Sequence, residues 1–264
     1  MEHVPEQPCL RIDPLRRLDH IVLRLAGCLC HRSHSELGRT IEKALLNAGT
    51  ALADLTRMQI TEESGALVFA AALDAAGGWP RSRLTLYGGE PAVVQVLQRT
   101  GVTRMAPHVP TAVDALTSIW RRPLCVRTYD SFKPQMDMCT RARALLTDAA
   151  VAWEVPAPVL NAGLQVVTEL ATNVVKHART VCQVGVEFDG QQLRLGVRDF
   201  SAAWPRVQPP DLNAQRDRGG LQLVESLAAQ WGVTERPGGK TVWAVVTPEE
   251  ATARKVPHVL SADL

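Results

Sequence analysis

The chain has 264 residues, 46% hydrophobic and 21% charged, with a formal charge of +2 at pH 7. That length calls for two domains of about 100–150 residues, and there is apolar material for two cores. A near-neutral balance with no long Lys/Arg run argues against a nucleic-acid grip built on many phosphate contacts, and no apolar run approaches the ~18 residues of a membrane span.

In chain order, residues 1–17 are rich in proline and charge and read as a flexible tail, without the apolar core of a signal peptide. The β-branched run "HIVLRLAG" (20–27) reads as a strand. "HSELGRTIEKALLNAG" (34–49) has helical periodicity and stops at Gly49, a C-cap residue. "TALADLT" (50–56) reads as a second strand and "GALVFAAALDAAGGW" (65–79) as a helix ending at the pair Gly77-Gly78. "SRLTLYGG" (82–89) is a third strand, and "PAVVQVLQRTG" (91–101) a helix with proline in its first turn. "TAVDALTSIWRR" (111–122) closes the region as a helix. Strands alternating with helices indicate an α/β layer with parallel pairing.

"RRPLCVRTYDSFKP" (121–134) changes character and holds the domain boundary. Beyond it come a helix over 135–153 and a longer one over 157–178. Two strands, "VCQVGVEFDG" (181–190) and "QQLRLGVRDF" (191–200), meet at Asp189-Gly190, a hairpin signal. A polar segment (201–218) leads to "GGLQLVESLAAQWG" (219–232), read as a helix, and "GGKTVWAVV" (238–246) is a final strand before a tail. Helices grouped with antiparallel strands suggest an α+β sandwich.

Six cysteines, at positions 9, 28, 30, 125, 139 and 182, form no disulfide-like framework. Cys28-Leu29-Cys30 lacks the CxxC spacing, and its proximity to His31 and His34 leaves a metal cluster as the alternative to plain thiols in a reducing cytoplasm. No Ser/His/Asp or Cys/His arrangement suggests a metabolic enzyme.

The polar residues of "VVTELATNVVKHA" (166–178) carry more. Glu169, Asn173 and His177 recur at four-residue steps, beside an apolar stripe of Leu164, Val167, Leu170, Ala171, Val174 and Val175. An asparagine inside a helix competes for backbone hydrogen bonds. A solvated polar face therefore accounts for the Glu and Lys better than for the Asn. Downstream, a strand ends in "VRDF" with Asp199, and "RGGLQLV" opens a helix whose backbone N–H groups can meet an anion.

In this order the pieces resemble the GHKL (histidine-kinase-like) ATPase fold, and within it the anti-sigma-factor serine kinase branch. "ELATNVVKHA" resembles the N box, "VRDFSAAWP" stands where the first Gly box belongs, and "RGGLQLVESLAAQWGV" resembles the second. The resemblance covers about residues 127–247 and implies a two-layer α+β sandwich that binds ATP with Mg²⁺. It implies that Asn173 holds the ion through its amide oxygen and that Glu169 accepts the proton of an attacking hydroxyl. Asp199 would accept from the adenine amino group, Gly219 and Gly220 would close over the phosphates, and Thr241 would sit near the adenine end. Lys176 and His177 would approach the phosphates or cap the helix. The sequence also departs from the family. Phe200, Ser201, Ala202 and Ala203 replace the glycines expected after the aspartate, and Arg218 stands where the second box begins with Gly. A side chain there opposes φ > 0, although an arginine can instead reach a phosphate.

Residues 18–119 resemble an α/β STAS domain, the anti-sigma-antagonist fold, through "ADLTRMQITEESGAL" (53–67) and "LTLYGGEPAVVQVLQRTGVTRM" (84–105). The family's loop carries a phosphate-accepting serine. Here the loop reads Glu62, Glu63, Ser64, Gly65, with a carboxylate at the acceptor position and Ser64 as an unconventional alternative. Its single charge only partly imitates a phosphate, and the bland alternative is that both glutamates favour a helix amino terminus.

The expected organisation is thus a tail (1–17), a STAS-like domain (18–119), a linker (120–126), an ATPase domain (127–247) and a second tail (248–264). Two functions stay open. One is a serine/threonine protein kinase in partner-switching control of transcription, acting on a sigma factor or a STAS-type antagonist. The other is a nucleotide-sensing binding module that transfers nothing. Cytoplasmic location, intramolecular contact between the domains and homodimerisation are further expectations, with no nucleic acid or membrane as partner.

Overall fold

A computed structural model describes residues 10–135, 137–201 and 220–252. The chain divides into two compact units, Met1–Val126 and Arg127–Leu264.

The first unit is a five-stranded sheet of order β1-β2-β3-β4-β5, formed by β1 (Arg11–Arg16), β2 (Ile21–Leu29), β3 (Thr50–Ile60), β4 (Arg83–Tyr87) and β5 (His108–Val109). All neighbours are parallel except β1, which runs antiparallel to β2 with Arg11 opposite Ala26 and Arg16 opposite Ile21. This corrects the expected tail. Pro14 and the charges of β1 are tolerated because it is an edge strand, with only one side in the ladder. The crossover helices are α1 (His31–Ala48), α2 (Leu67–Ala75), α3 (Pro91–Arg99) and α4 (Val102–Met105), followed after β5 by α5 (Ala112–Ser118).

Helix α1 buries Leu37, Ile41, Ala44 and Leu45, the i, i+4, i+7, i+8 stripe of an amphipathic helix. It stops where Gly49 adopts φ 69° and returns its N–H to the Leu45 carbonyl. Alternation along β3 sends Ala51, Ala53 and Leu55 into the main core with Leu37 and Phe69. Leu52 joins Tyr87, Ala115 and Ile119 in a smaller cluster under α5.

The second unit has a sheet of order β6-β7-β8-β10-β9, built from β6 (Val126–Phe132), β7 (Cys182–Phe188), β8 (Leu193–Asp199), β9 (Gln230–Arg236) and β10 (Gly239–Val246). Its helices are α6 (Met138–Trp153), α7 (Ala157–Asn173), α8 (Gly220–Leu227) and α9 (Pro248–Thr252). Strand pairs β7–β8, β8–β10 and β9–β10 are antiparallel, and Asp189 closes the β7–β8 hairpin by accepting from the N–H groups of Gln191 and Gln192. Helix α7 lies close on the sheet because it carries Gly163, where a β-carbon would come within 2.6 Å of Leu193 and 3.4 Å of Leu146.

Three expectations change here. The region around residues 121–134 is not only a boundary, since it contains strand β6. The helix expected over 219–232 ends at Leu227, and Gln230, Trp231 and Gly232 begin β9, their backbone captured by pairing with β10. The second tail begins with α9, which packs against α7.

Candidate functional site

Antiparallel register and alternation determine which side chains face the helices. Leu193 and Leu195 of β8 meet α7 at Gly163. Their opposite numbers on β10 are Val246 and Ala244, and the same parity carries through Val197–Val242 to Asp199–Lys240. On β7, Cys182 stands opposite Asp199. Cys182, Asp199 and Lys240 therefore form a row at one end of the helix-facing surface.

Asp199, the last residue of β8, is only 3% exposed, and Lys240 6%. The lysine Nζ donates to Asp199 Oδ1 at 2.8 Å and reaches the Ser201 carbonyl at 3.4 Å. The same Oδ1 accepts the Ser201 N–H at 2.9 Å. Burial pushes the Cys182 thiol up to about 11; the charges of Asp199 and Cys139 act in the same direction and a backbone hydrogen bond at Phe132 opposes them. At neutral pH Cys182 is a thiol, a packing group rather than a nucleophile.

Two corrections follow. Thr241 is opposite Arg198 and points to the far face of the sheet, so it cannot line a site shared with Asp199. The residue of β10 that joins Asp199 is Lys240, which the sequence reading passed over. Its signal was present: Lys240 has the same parity as Val242, Ala244 and Val246, three buried residues.

β8 and β10 approach closely at this point. A β-carbon on Gly239 would overlap the Asp199 carbonyl oxygen and lie 2.8 Å from Phe200 Cα. Phe200 itself is exposed, with its N–H on Thr180 Oγ1 and its ring beneath the Arg198 guanidinium.

Across the unit, α7 presents Glu169 and Asn173 one turn apart, both half-buried. Among the described residues neither side chain has a hydrogen-bond or ion-pair partner. After Asn173 the helix widens into a π turn, Val174–Ala178, closed by the Arg179 N–H on the Val174 carbonyl and by Arg179 at φ 52°. Wide turns of this kind shift the helical phase. Val174 stays buried while Lys176 and His177 are exposed to solvent. Gly220 is the first residue of α8; Arg218 and Gly219 lie outside the described residues, as do Ala202 and Ala203.

The donor set suits magnesium. An amide oxygen and a carboxylate oxygen are hard ligands, and Mg²⁺ takes one or two protein groups and completes its shell with phosphate oxygens and water. Among the described residues no group of three or more His, Cys, Asp or Glu side chains is placed to hold a metal ion.

In the first unit, Glu62 precedes a 3₁₀ turn, Glu63–Ala66, that runs into α2. Glu62, Glu63 and Ser64 are exposed. Glu63 is ion-paired with Arg99 of α3, and both side chains remain more than half exposed.

Residues 132–246 match the family described as histidine kinase-like ATPase domain. The match runs from the last residue of β6 to the last of β10, so the second unit contains a domain of that family. Solved structures similar to the chain include an anti-sigma factor antagonist from Mycobacterium paratuberculosis, at 19% identity over 42% of this chain and 93% of that one, with a TM-score of 0.38. The phosphorylated form of the Bacillus cell fate determinant SpoIIAA matches at 18% over 42% of this chain and 99% of that one, TM-score 0.32. The RsbU and RsbW domains of a Mycobacterium tuberculosis protein match at 14% over 46% of this chain and 31% of that one, TM-score 0.36. No curated protein sequence matches. No described helix is long and apolar enough to cross a membrane.

Proposed function

We propose that the second unit binds Mg-ATP between α7 and the helix-facing end of β8 and β10, and that the chain is a serine/threonine kinase of the partner-switching type. The observation that carries this is the Glu169–Asn173 pair on α7, without a side-chain partner among the described residues, within the segment matched to the histidine kinase-like ATPase family. Asn173 holds the magnesium ion through its amide oxygen, and Glu169, one turn earlier, accepts the proton of the incoming hydroxyl. Asp199 faces the base. The ion itself supplies charge neutralisation at the phosphates. The protein substrate is a STAS-type antagonist or a sigma-factor partner, and the first unit, with a carboxylate at the acceptor position of its loop, is a built-in docking or regulatory module.

A second function is favoured by specific observations. Asp199 is already engaged by Lys240, and Phe200 and Ser201 stand where flexible glycines would cover a nucleotide. In that case the nucleotide tunes an interface and no phosphoryl group moves.

Calorimetry of the full chain with Mg-ATP, beside Asn173→Ala, tests the shared claim: binding that requires magnesium and is lost in the variant supports it. Absence of binding at millimolar ligand overturns it. Radiolabel transfer to STAS-type partners, with Glu169→Gln as control, then separates kinase from sensor.

A further inference from the structure

We propose that the outer face of α5 is where two copies of this chain meet, the two helices running antiparallel about a two-fold axis. The contact involves the first unit alone and does not depend on the nucleotide site.

Helix α5 is apolar on both sides. Ala115 and Ile119 are buried with Leu52 and Tyr87. On the other side Val113, Leu116 and Trp120 are 70%, 46% and 71% exposed. Steps of three and four residues place these three on one helical stripe. The helical path reaches Trp120, because Ile119 keeps helical dihedrals (φ −50°, ψ −36°) and the Arg121 N–H closes the last turn on the Ser118 carbonyl. Thr117, beside the stripe, commits its hydroxyl to the Asp114 carbonyl. A helix that faces only water carries polar residues on its outer side, and a contiguous exposed apolar patch is the mark of an interaction surface. Trp120 is also held in place. The Arg83 guanidinium of β4 stacks over its ring at 4.1 Å, so less side-chain freedom is lost when a partner arrives. Tryptophan and arginine are the side chains on which interfaces most often depend.

The charges select the occupant. Asp114 and Arg121 are seven positions apart, about two helical turns, so they share one flank of the stripe, the acid at its amino end and the base at its carboxyl end. A two-fold axis perpendicular to α5 reverses the helix direction and keeps each flank on its own side. Asp114 of one copy then stands beside Arg121 of the other, and the pair occurs twice. Trp120 of each copy meets Val113 of the other, and Leu116 lies next to the axis. A parallel pairing would set aspartate against aspartate and arginine against arginine. The face therefore complements itself in one direction only, as an isologous contact requires. An anionic lipid surface suits it less: Asp114 would be repelled, and the Arg83 guanidinium would have to enter the apolar layer with the ring.

Three apolar side chains per copy make a small interface, so sedimentation velocity of the full chain should show monomers passing into dimers with a dissociation constant of about 10–100 μM. Trp120→Ala and Leu116→Glu should each weaken the dimer by about tenfold or more. Both positions are exposed, and thermal unfolding checks that the variants stay folded. Arg121→Asp should weaken the dimer as well, and adding Asp114→Arg to it should restore association, because the exchanged charges pair again. Asp114 also accepts from the Thr111 hydroxyl at the start of α5, and loss of that bond does not produce a rescue. A chain that stays monomeric at several hundred μM, roughly tenfold above the expected constant, overturns the proposal and leaves the stripe to another partner. Binding to phosphatidylglycerol vesicles, lost in Trp120→Ala, would then identify that partner as lipid. Dimers of undiminished strength in Trp120→Ala and Leu116→Glu overturn it by placing the contact elsewhere on the chain. Failure of the charge exchange to restore association overturns the antiparallel arrangement, and the proposal with it.

Discussion

At Asp199 and Lys240 the fold places two opposite charges where side chains of the same parity are valines, leucines and alanines. The two charges are stable together and expensive apart. Removing one partner leaves the other buried without a counter-charge, a loss of about 3–5 kcal/mol in comparable sites. Asp199→Asn and Lys240→Met should each lower the unfolding free energy by that order, measured by urea denaturation. The double variant should lose much less than the sum, because it leaves no orphan charge. Additive losses would show that the two side chains do not interact.

Two cysteines differ for related reasons. Cys30 sits at the amino terminus of α1, where the backbone N–H of Ser33, then that of Arg32 and the Ser33 hydroxyl hold its thiol below the ordinary value. Cys182 is enclosed and pushed the other way. Iodoacetamide near pH 7.5 should therefore modify Cys30 well before Cys182, as read by peptide mass spectrometry. The sign of the stability effect follows from the same shift. The folded thiol titrates near 11 and the unfolded one near 9.0. Below pH 9 both states hold the proton; above it the unfolded state loses its proton first, so the contribution of Cys182 to stability declines from about pH 9 towards pH 11.

At the scale of elements, glycine spacing decides how near the layers come. Gly239 and Gly163 both lack room for a β-carbon, with different obstacles. At Gly239 the obstacle is the backbone of Asp199 and Phe200; at Gly163 it is the far end of the Leu193 side chain. A side chain can turn aside and a paired strand cannot. Gly163→Ala should cost about 1–3 kcal/mol, as overpacking does, and Gly239→Ala more, with weakened nucleotide binding because β8 and β10 part at Asp199. Chemical denaturation of the two variants checks the order.

Elements with strong periodicity and a clear stop were legible from the residues: α1 with Gly49, the β7–β8 hairpin at Asp189-Gly190, and the long α7. What stayed hidden was structure made by partners distant in sequence. β1 reads as tail because its charges and Pro14 are acceptable only on an edge, and whether a strand is an edge is a property of the sheet. The Trp231 end of the expected last helix was taken by strand pairing with β10. The residue types of the proposed site, Glu169, Asn173 and Asp199, stand out in the sequence, while the separation of Thr241 from Asp199 and the pairing of Lys240 with it depended on register. A one-residue step along β10 moves a side chain from one face to the other.

For the whole molecule, ligand linkage acts on one unit. A ligand bound only to folded protein stabilises by RT ln(1 + [L]/Kd), about 2.7 kcal/mol at a hundredfold excess over Kd. Mg-ATP should therefore raise the unfolding transition of the 127–264 unit, followed by scanning calorimetry of the full chain. Asn173→Ala should abolish the rise.

The covalent joining of the units gives the sharpest whole-chain prediction. Tethering places the loop of the first unit at an effective concentration of order mM with respect to the second, provided the connection spans the distance. On the proposed reading wild type does not exploit this at position 63, because Glu63 has no hydroxyl to form a phosphate ester. Glu63→Ser supplies a hydroxyl on an exposed turn and frees Arg99, which now pairs with Glu63. A phosphate installed there would find that guanidinium ready, as arginine recognises phosphate through parallel N–H donors. Incubated with Mg-ATP, Glu63→Ser should acquire label in the 62–65 loop, and the label should vanish when Asn173→Ala is added. Transfer within one molecule keeps the same rate per molecule on dilution, whereas transfer between molecules slows. Label in the wild-type loop would place the acceptor at Ser64 and remove the blocking role from Glu63. Absence of label in Glu63→Ser, in protein that binds Mg-ATP and phosphorylates a separate STAS-type partner, would show that the joined units do not present this loop to the site.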